Sequence, residues 1–141
     1  MENILMEKKK IHFERAIFIS WYCSLGDCTY CYMSTQKSLI SDPKKAKRSM
    51  ASILAEAYLC RKLGWKLGNL AAGYGSYTHE SILELVKNVY EIYGNKFWLN
   101  IGVLPEKTIA ALNPYLEGIY GAVETTNEKI HKKTAPNKPI R

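Results

Sequence analysis

With 141 residues, 47% of them hydrophobic and 23% charged, the chain is long enough for one domain with a real core, which excludes a generally disordered state. The net charge of +7 does not repel anionic partners, but the lysine clusters (Lys8 to Lys10, Lys44, Lys45, Lys47 with Arg48, and Lys129 onward) stand apart from most aromatics, so no nucleic-acid-binding module is expected. No run approaches the ~20 apolar residues of a membrane span, and the charged start is followed only by the short apolar run Ala16 to Ile19, so neither a span nor a signal peptide is expected and a cytoplasmic location is.

In chain order, residues 1–15 form a basic extension. Ala16-Ile-Phe-Ile19 is a short β-preferring run that leads into Ser20-Trp-Tyr-Cys23, placing the first cysteine just after a buried strand and the following cysteines on a loop. After a polar, basic connection through Asp42 and Pro43, the residues Met50, Ile53, Leu54, Ala57 and Tyr58 recur at helical spacing, with Gly64 and Gly68 ending that helix. A second strand is predicted at Asn69 to Ala72, running into a Gly73-Tyr74-Gly75-Ser76 turn.

Thr78 caps the clearest helix, whose apolar face is Ile82, Leu85, Val86, Val89 and Tyr93 and whose end is marked by Gly94. A strand is predicted at Phe97 to Val103, a short helix opened by Pro105 through Leu112, and a fourth strand at Gly118 to Val123. The polar tail from Glu124 to Arg141 begins no further strand. Strands alternating with helices imply parallel pairing through right-handed crossovers, hence an α/β fold. Four βα units are about half of the eight that close a barrel of ~250 residues, so the expectation is a partial TIM-type (βα) barrel, in a chain that is truncated or one half of a split protein.

Four cysteines are present, three of them inside the nine residues Cys23-Ser-Leu-Gly-Asp-Cys28-Thr-Tyr-Cys31. In a reducing compartment such crowding points to metal or redox chemistry rather than to a disulfide framework. Gly26 permits the tight path that a loop presenting several thiolates needs, and thiolates are soft ligands suited to zinc or to iron-sulfur clusters. Three readings stay open on the residues alone. The thiols could bind nothing; they could hold a structural zinc with Cys60 or a histidine as fourth ligand; or they could hold a cluster. The C-x4-C-x2-C spacing with a distant cysteine matches plant-type 2Fe-2S electron carriers, with Cys60 as fourth ligand, although Cys60 shares a helical face with Ile53 and Ala57 where a small buried hydrophobe belongs.

With the strand, the three cysteines and Tyr30 immediately before the last of them, the segment resembles the radical S-adenosylmethionine superfamily, whose usual pattern is C-x3-C-x-aromatic-C after the first barrel strand. Here there is one extra residue between Cys23 and Cys28; longer spacings occur in some subfamilies, including a methanogen family that helps make the iron-guanylylpyridinol cofactor. The resemblance implies residues 16–141 as the N-terminal half of the core domain. It also implies a 4Fe-4S cluster on Cys23, Cys28 and Cys31, with the fourth iron open to the amino and carboxylate groups of S-adenosylmethionine. Reductive cleavage would then yield methionine and a 5′-deoxyadenosyl radical that abstracts hydrogen from a small-molecule substrate.

Further segments are similar to the same superfamily. Gly73, Tyr74 and Gly75 resemble its glycine-rich motif for the methionyl amino group, without the usual glutamate, and are equally natural as a tight turn. Glu124-Thr-Thr looks like the Glu-Thr segment of the biotin-synthase-like branch, so that Glu124 would bond the ribose hydroxyls; on its residues alone it could also be a carboxylate at the start of a helix. Arg141 is the residue implied to pair with the methionine carboxylate and Tyr30 to pack near the adenine, while His131 reads as a helix-face residue or one supporting the site from behind rather than as a ligand. Reduced ferredoxin or flavodoxin is the implied electron donor, and the substrate-binding half is implied to be supplied from outside these residues.

Overall fold

The computed structural model describes residues 11–40 and 42–139. The chain runs β1 (Glu14–Ser20), α1 (Tyr32–Gln36) with a 3-10 turn at Lys37–Leu39, α2 (Met50–Leu63), β2 (Lys66–Ala72), α3 (His79–Tyr93), β3 (Phe97–Asn100), α4 (Glu106–Leu112), β4 (Leu116–Ile119) and α5 (Glu128–Thr134).

The two long helices are framed by local chemistry. Ser49 accepts from the Ser52 amide at the start of α2, and Gly64 ends it at φ +66°, a left-handed position that costs glycine little. A reciprocal Thr78 and Ser81 capping box opens α3, and Gly94 closes it.

The four strands form one parallel sheet in the order β1-β2-β3-β4. Because every crossover steps in the same direction, right-handed connections put the intervening helices on one face of the sheet. That face is the core: Ile17, Ile19, Leu70, Phe97 and Leu99 of the strands meet Ile53, Ala57 and Cys60 of α2 and Ile82, Leu85, Val86 and Val89 of α3. The other face carries Phe18, Ala71, Trp98, Asn100 and Gly118 in register, and it is less thoroughly covered. The mixed α/β fold with a parallel sheet is therefore as expected.

Several boundaries move. β2 begins at Lys66, and Gly68 lies inside it, beside an irregularity in the ladder and against the Glu14 side chain, rather than ending α2. β3 stops at Asn100 instead of reaching Val103, because Gly102 turns the chain at φ +88° against the Tyr74 ring. That in turn limits β4: its last ladder partner is Leu99, bonded to the Tyr120 amide at 2.8 Å, so the strand occupies Leu116–Ile119 rather than Gly118 to Val123. The polar tail forms α5, capped by Asn127, whose side chain accepts from the Lys129 and Ile130 amides. Among the described residues, no helix is long and apolar enough to cross a membrane.

Candidate metal centre and the adjoining cavity

Cys23, Cys28 and Cys31 lie on the loop that leaves the C-terminal end of β1, the end of a parallel sheet where loops converge and where ligands bind in such folds. Gly26 turns this loop at φ +53°, the Cys31 amide donates to the Cys28 carbonyl at 3.0 Å, and Cys31 is the residue before the first turn of α1. Lys37 closes the loop from outside by donating to the Leu25 carbonyl.

Cys28 is buried, while Cys23 and Cys31 are half-buried. Burial pushes the Cys28 thiol up; a hydrogen bond with Tyr30 opposes this, and the negative charges of Asp27, Cys31 and Cys23 add to it. Burial of Cys28 beside negative charge is a condition that a bound cation would relieve. The donor set, three soft thiols on one short loop, fits a soft metal or a cluster. The thiols are not drawn together as shown: among the described residues, no three His, Cys, Asp or Glu side chains are gathered in an arrangement that could hold a metal ion.

The turn after β2 is fastened to this loop. The Ser24 amide donates to the Tyr74 carbonyl at 2.8 Å, and Ser76, which is buried, places its hydroxyl 2.6 Å from the Tyr22 carbonyl and 2.7 Å from that of Gly73. Gly73 has no room for a side chain, since a Cβ would meet the Tyr22 carbonyl and lie 2.5 Å from the Cys23 Cβ. Gly75, at φ +70°, packs on the Ser24 side chain. The bolt formed by Ser76 had no signal in the sequence, because an isolated serine in a glycine turn reads as solvent-facing.

The segment after β4 returns across the same end of the sheet. The Thr29 amide donates to the Thr134 carbonyl at 2.8 Å, Asn137 donates to Asp27, and Lys138 bonds both the Glu124 carboxylate and the Ala122 carbonyl. The Tyr30 hydroxyl lies against Glu124 and Cys28; desolvation first, then these two neighbours, push its titration far up. Desolvation by itself would raise the Glu124 carboxyl, but Lys138 and Tyr30 outweigh it and hold Glu124 below the usual carboxylate range.

A cavity of about 410 Å³ opens beside this strap, at the ends of β3 and β4, with Tyr74, Asn100, Tyr120, Glu124, His131 and Lys138 among its lining residues. Its size suits a small molecule. His131, buried on α5, faces this space rather than the cysteines. Tyr30, Gly73, Tyr74, Gly75 and Glu124 therefore surround the same end of the sheet as the three cysteines, whereas Arg141 lies outside the described residues.

Cys60 is elsewhere. It is buried near the C-terminal end of α2, its carbonyl accepts from Trp65, and it shares a shallow recess with Trp65 and Lys66 at the start of β2. The cysteine loop begins at the far end of the parallel β1, roughly 20 Å away at ~3.3 Å per residue. Cys60 cannot be the fourth ligand of a centre on Cys23, Cys28 and Cys31, and it fills the core as a small hydrophobe.

The Glu124 and Lys138 contact has a pH signature. A carboxyl whose folded pKa is lowered contributes stability above its unfolded pKa, and that contribution is lost as pH falls through the folded value. Lys138→Met should raise the Glu124 pKa, read from its side-chain carboxyl carbon by NMR, and lower the urea midpoint at neutral pH by an amount worth less than about 1 kcal/mol. The wild-type and variant midpoints should converge in acid; a Glu124 pKa unmoved by the substitution would refute the contact.

No family model matches the chain. Over 131 residues, 92% of its length, the chain is 42% identical to an uncharacterised protein of Methanocaldococcus jannaschii. The match covers 36% of that protein, so the chain spans about a third of the length of this relative, and the similarity brings no activity with it.

Proposed function

We propose that the chain carries a 4Fe-4S cluster on Cys23, Cys28 and Cys31 and forms the cofactor-binding part of a radical S-adenosylmethionine enzyme. One observation carries the reading. Segments far apart in the sequence, each resembling part of the same cofactor site, meet at the C-terminal end of one parallel sheet: the cysteine loop, the Gly73-Tyr74-Gly75 turn bonded to it, and Glu124 against Tyr30. Three thiolates leave one iron of a four-iron cluster without a protein ligand, and the chemistry supplied by the bound group is one-electron reduction of the sulfonium.

The chain's own residues then have positioning tasks. Gly73 and Gly75 bring backbone carbonyls close to the loop without side-chain bulk, and such carbonyls can accept from an amino group. Glu124, kept ionised by Lys138, is an acceptor for paired hydroxyls of a ribose, and Tyr30 offers an aromatic face beside it. The adjoining cavity would take the small-molecule substrate. The four strands would be the first part of a (βα) barrel whose remaining strands come from polypeptide outside these residues, and a cytoplasmic, reducing setting would keep the thiols free. The 2Fe-2S carrier loses its footing because Cys60 lies at the opposite end of the sheet.

The test is anaerobic reconstitution with iron and sulfide, followed by low-temperature electron paramagnetic resonance of the dithionite-reduced protein with and without S-adenosylmethionine. Uptake of about four irons per chain and a signal that shifts on adding the cofactor are expected. A protein that takes up no iron sinks the proposal, and a 2Fe-2S signal indifferent to the cofactor replaces it with an electron carrier.

A further inference from the structure

We infer that Asp27 is an exchangeable fourth ligand of the centre on the cysteine loop, holding the position that the three thiolates leave open until S-adenosylmethionine takes it. The inference rests on the cluster reading and adds to it a protein group that guards the open iron while the cofactor is away.

The first observation is a carboxylate oxygen with nothing to bind. Asp27 Oδ1 is closed off from solvent and has no hydrogen-bond partner; among the described residues that are not exposed, it is the one side-chain nitrogen or oxygen in that position. Its companion Oδ2 accepts from Asn137. No basic side chain offsets the charge. The ion pairs among the described residues belong to Glu56 and Glu124, Lys37 donates to the Leu25 carbonyl, and Lys138, next to Asn137, is taken up by Glu124 and the Ala122 carbonyl. An enclosed carboxylate oxygen with neither donor nor cation is costly, and a bound cation is a direct way to remove that cost.

The second observation is where this carboxylate stands. Gly26, at φ +53°, folds the loop back on its start, so that a Cβ there would lie 3.2 Å from the Cys23 carbonyl oxygen. Asp27 follows directly and precedes the buried Cys28, whose thiol feels its negative charge. The strap clasps the loop on both sides of this pair, through Asn137 on Asp27 and through the Thr134 carbonyl, which accepts from the Thr29 amide at 2.8 Å. One oxygen of Asp27 is therefore anchored and the other is left over, inside the stretch that has to close for Cys23, Cys28 and Cys31 to share a metal.

Carboxylate oxygen is an ordinary donor to iron, and a single such bond yields to a chelating pair. In the exchange the bond from iron to Asp27 breaks, the amino and carboxylate groups of the cofactor form two bonds in its place, and the proton of the cofactor's ammonium passes to water. No electron moves.

The test compares wild type with Asp27→Asn, which is of equal size and keeps an oxygen for Asn137, and with Asn137→Ala, which keeps the carboxylate. In the full chain without iron, titrated anaerobically with Co2+, Asp27→Asn should bind about tenfold more weakly while Asn137→Ala stays within about threefold of wild type. In reconstituted protein without cofactor, mild ferricyanide oxidation should convert the Asp27→Asn cluster to a 3Fe-4S form, read by electron paramagnetic resonance, about tenfold faster than wild type. Saturating S-adenosylmethionine should bring the two rates together, since the position is then filled in both. Equal Co2+ affinity and equal iron loss in wild type and Asp27→Asn overturn the inference, as does an Asn137→Ala variant that reproduces both losses, which would make Asp27 a support for the strap alone. If the protein takes up no iron, the proposed function fails by itself, and the Co2+ comparison still decides whether Asp27 is a ligand.

Discussion

Replacing Cys23, Cys28 or Cys31 singly with Ala is expected to abolish stable iron incorporation on anaerobic reconstitution, whereas Cys60→Ala retains it. Each of the first three removes one of only three soft donors on the loop at the end of β1, and the remaining cysteine, Cys60, is buried at the other end of that strand. Cys60, 2% exposed and packed with Ile53 and Ala57, contributes through burial alone. Its truncation leaves a small void costing about 1–2 kcal/mol, visible as a lower denaturation midpoint with unchanged iron content. Iron lost equally from all four variants would show that Cys60 takes part in the centre and that the separation of the two ends of β1 is wrong.

The second large effect belongs to Gly73. Alanine there drives its Cβ into the Tyr22 carbonyl, with the Cys23 Cβ at 2.5 Å and the Met33 Cε at 2.6 Å. Met33 can move aside. The Tyr22 carbonyl cannot, since it also lies 2.6 Å from the Ser76 hydroxyl. Overpacking of this kind costs about 1–3 kcal/mol, and the strain falls on the backbone that orients Cys23. Gly73→Ala should therefore lower the thermal midpoint by several degrees and also reduce iron uptake several-fold. Gly121→Ala is the control, because its added methyl meets nothing within 4 Å and should leave both readouts nearly unchanged. If Gly73→Ala incorporated iron as wild type does, the turn after β2 would have no part in holding the loop.

Both outcomes bear on the same physical point. The candidate centre depends on one loop being held by two others, the Ser76 turn from β2 and the strap of residues 124–139 from beyond β4. Local chemistry supplies donors, and neighbouring segments supply their orientation.

How much of this was legible in the residues depends on the range of the forces involved. Helices α2 and α3 could be read to the residue at most ends, because Gly64, Thr78 and Gly94 act within one turn and the apolar face of α3 repeats with helical period. The parallel α/β character followed from alternation of elements, and the cysteine loop from its crowding. The burial of Cys60 was implied by its place on the α2 face. The ends of β3 and β4 were not legible: Tyr120 to Val123 are apolar enough for a strand, but β3 turns away at Gly102 and leaves them no ladder partner.

The sequence by itself thus determined the crowding of the cysteines, the caps at Gly64, Thr78 and Gly94, the helical faces and the alternation of strands and helices, all of which rest on residue type and spacing along the chain. Only the tertiary structure decided that Ser76 secures Tyr22, that Lys138 occupies Glu124, that the tail folds into α5 and returns to Asp27 and Thr29, and that Cys60 stands a strand's length from the other cysteines. Those are contacts between segments distant in the chain, and their partners are chosen by sheet register and crossover geometry rather than by any local preference.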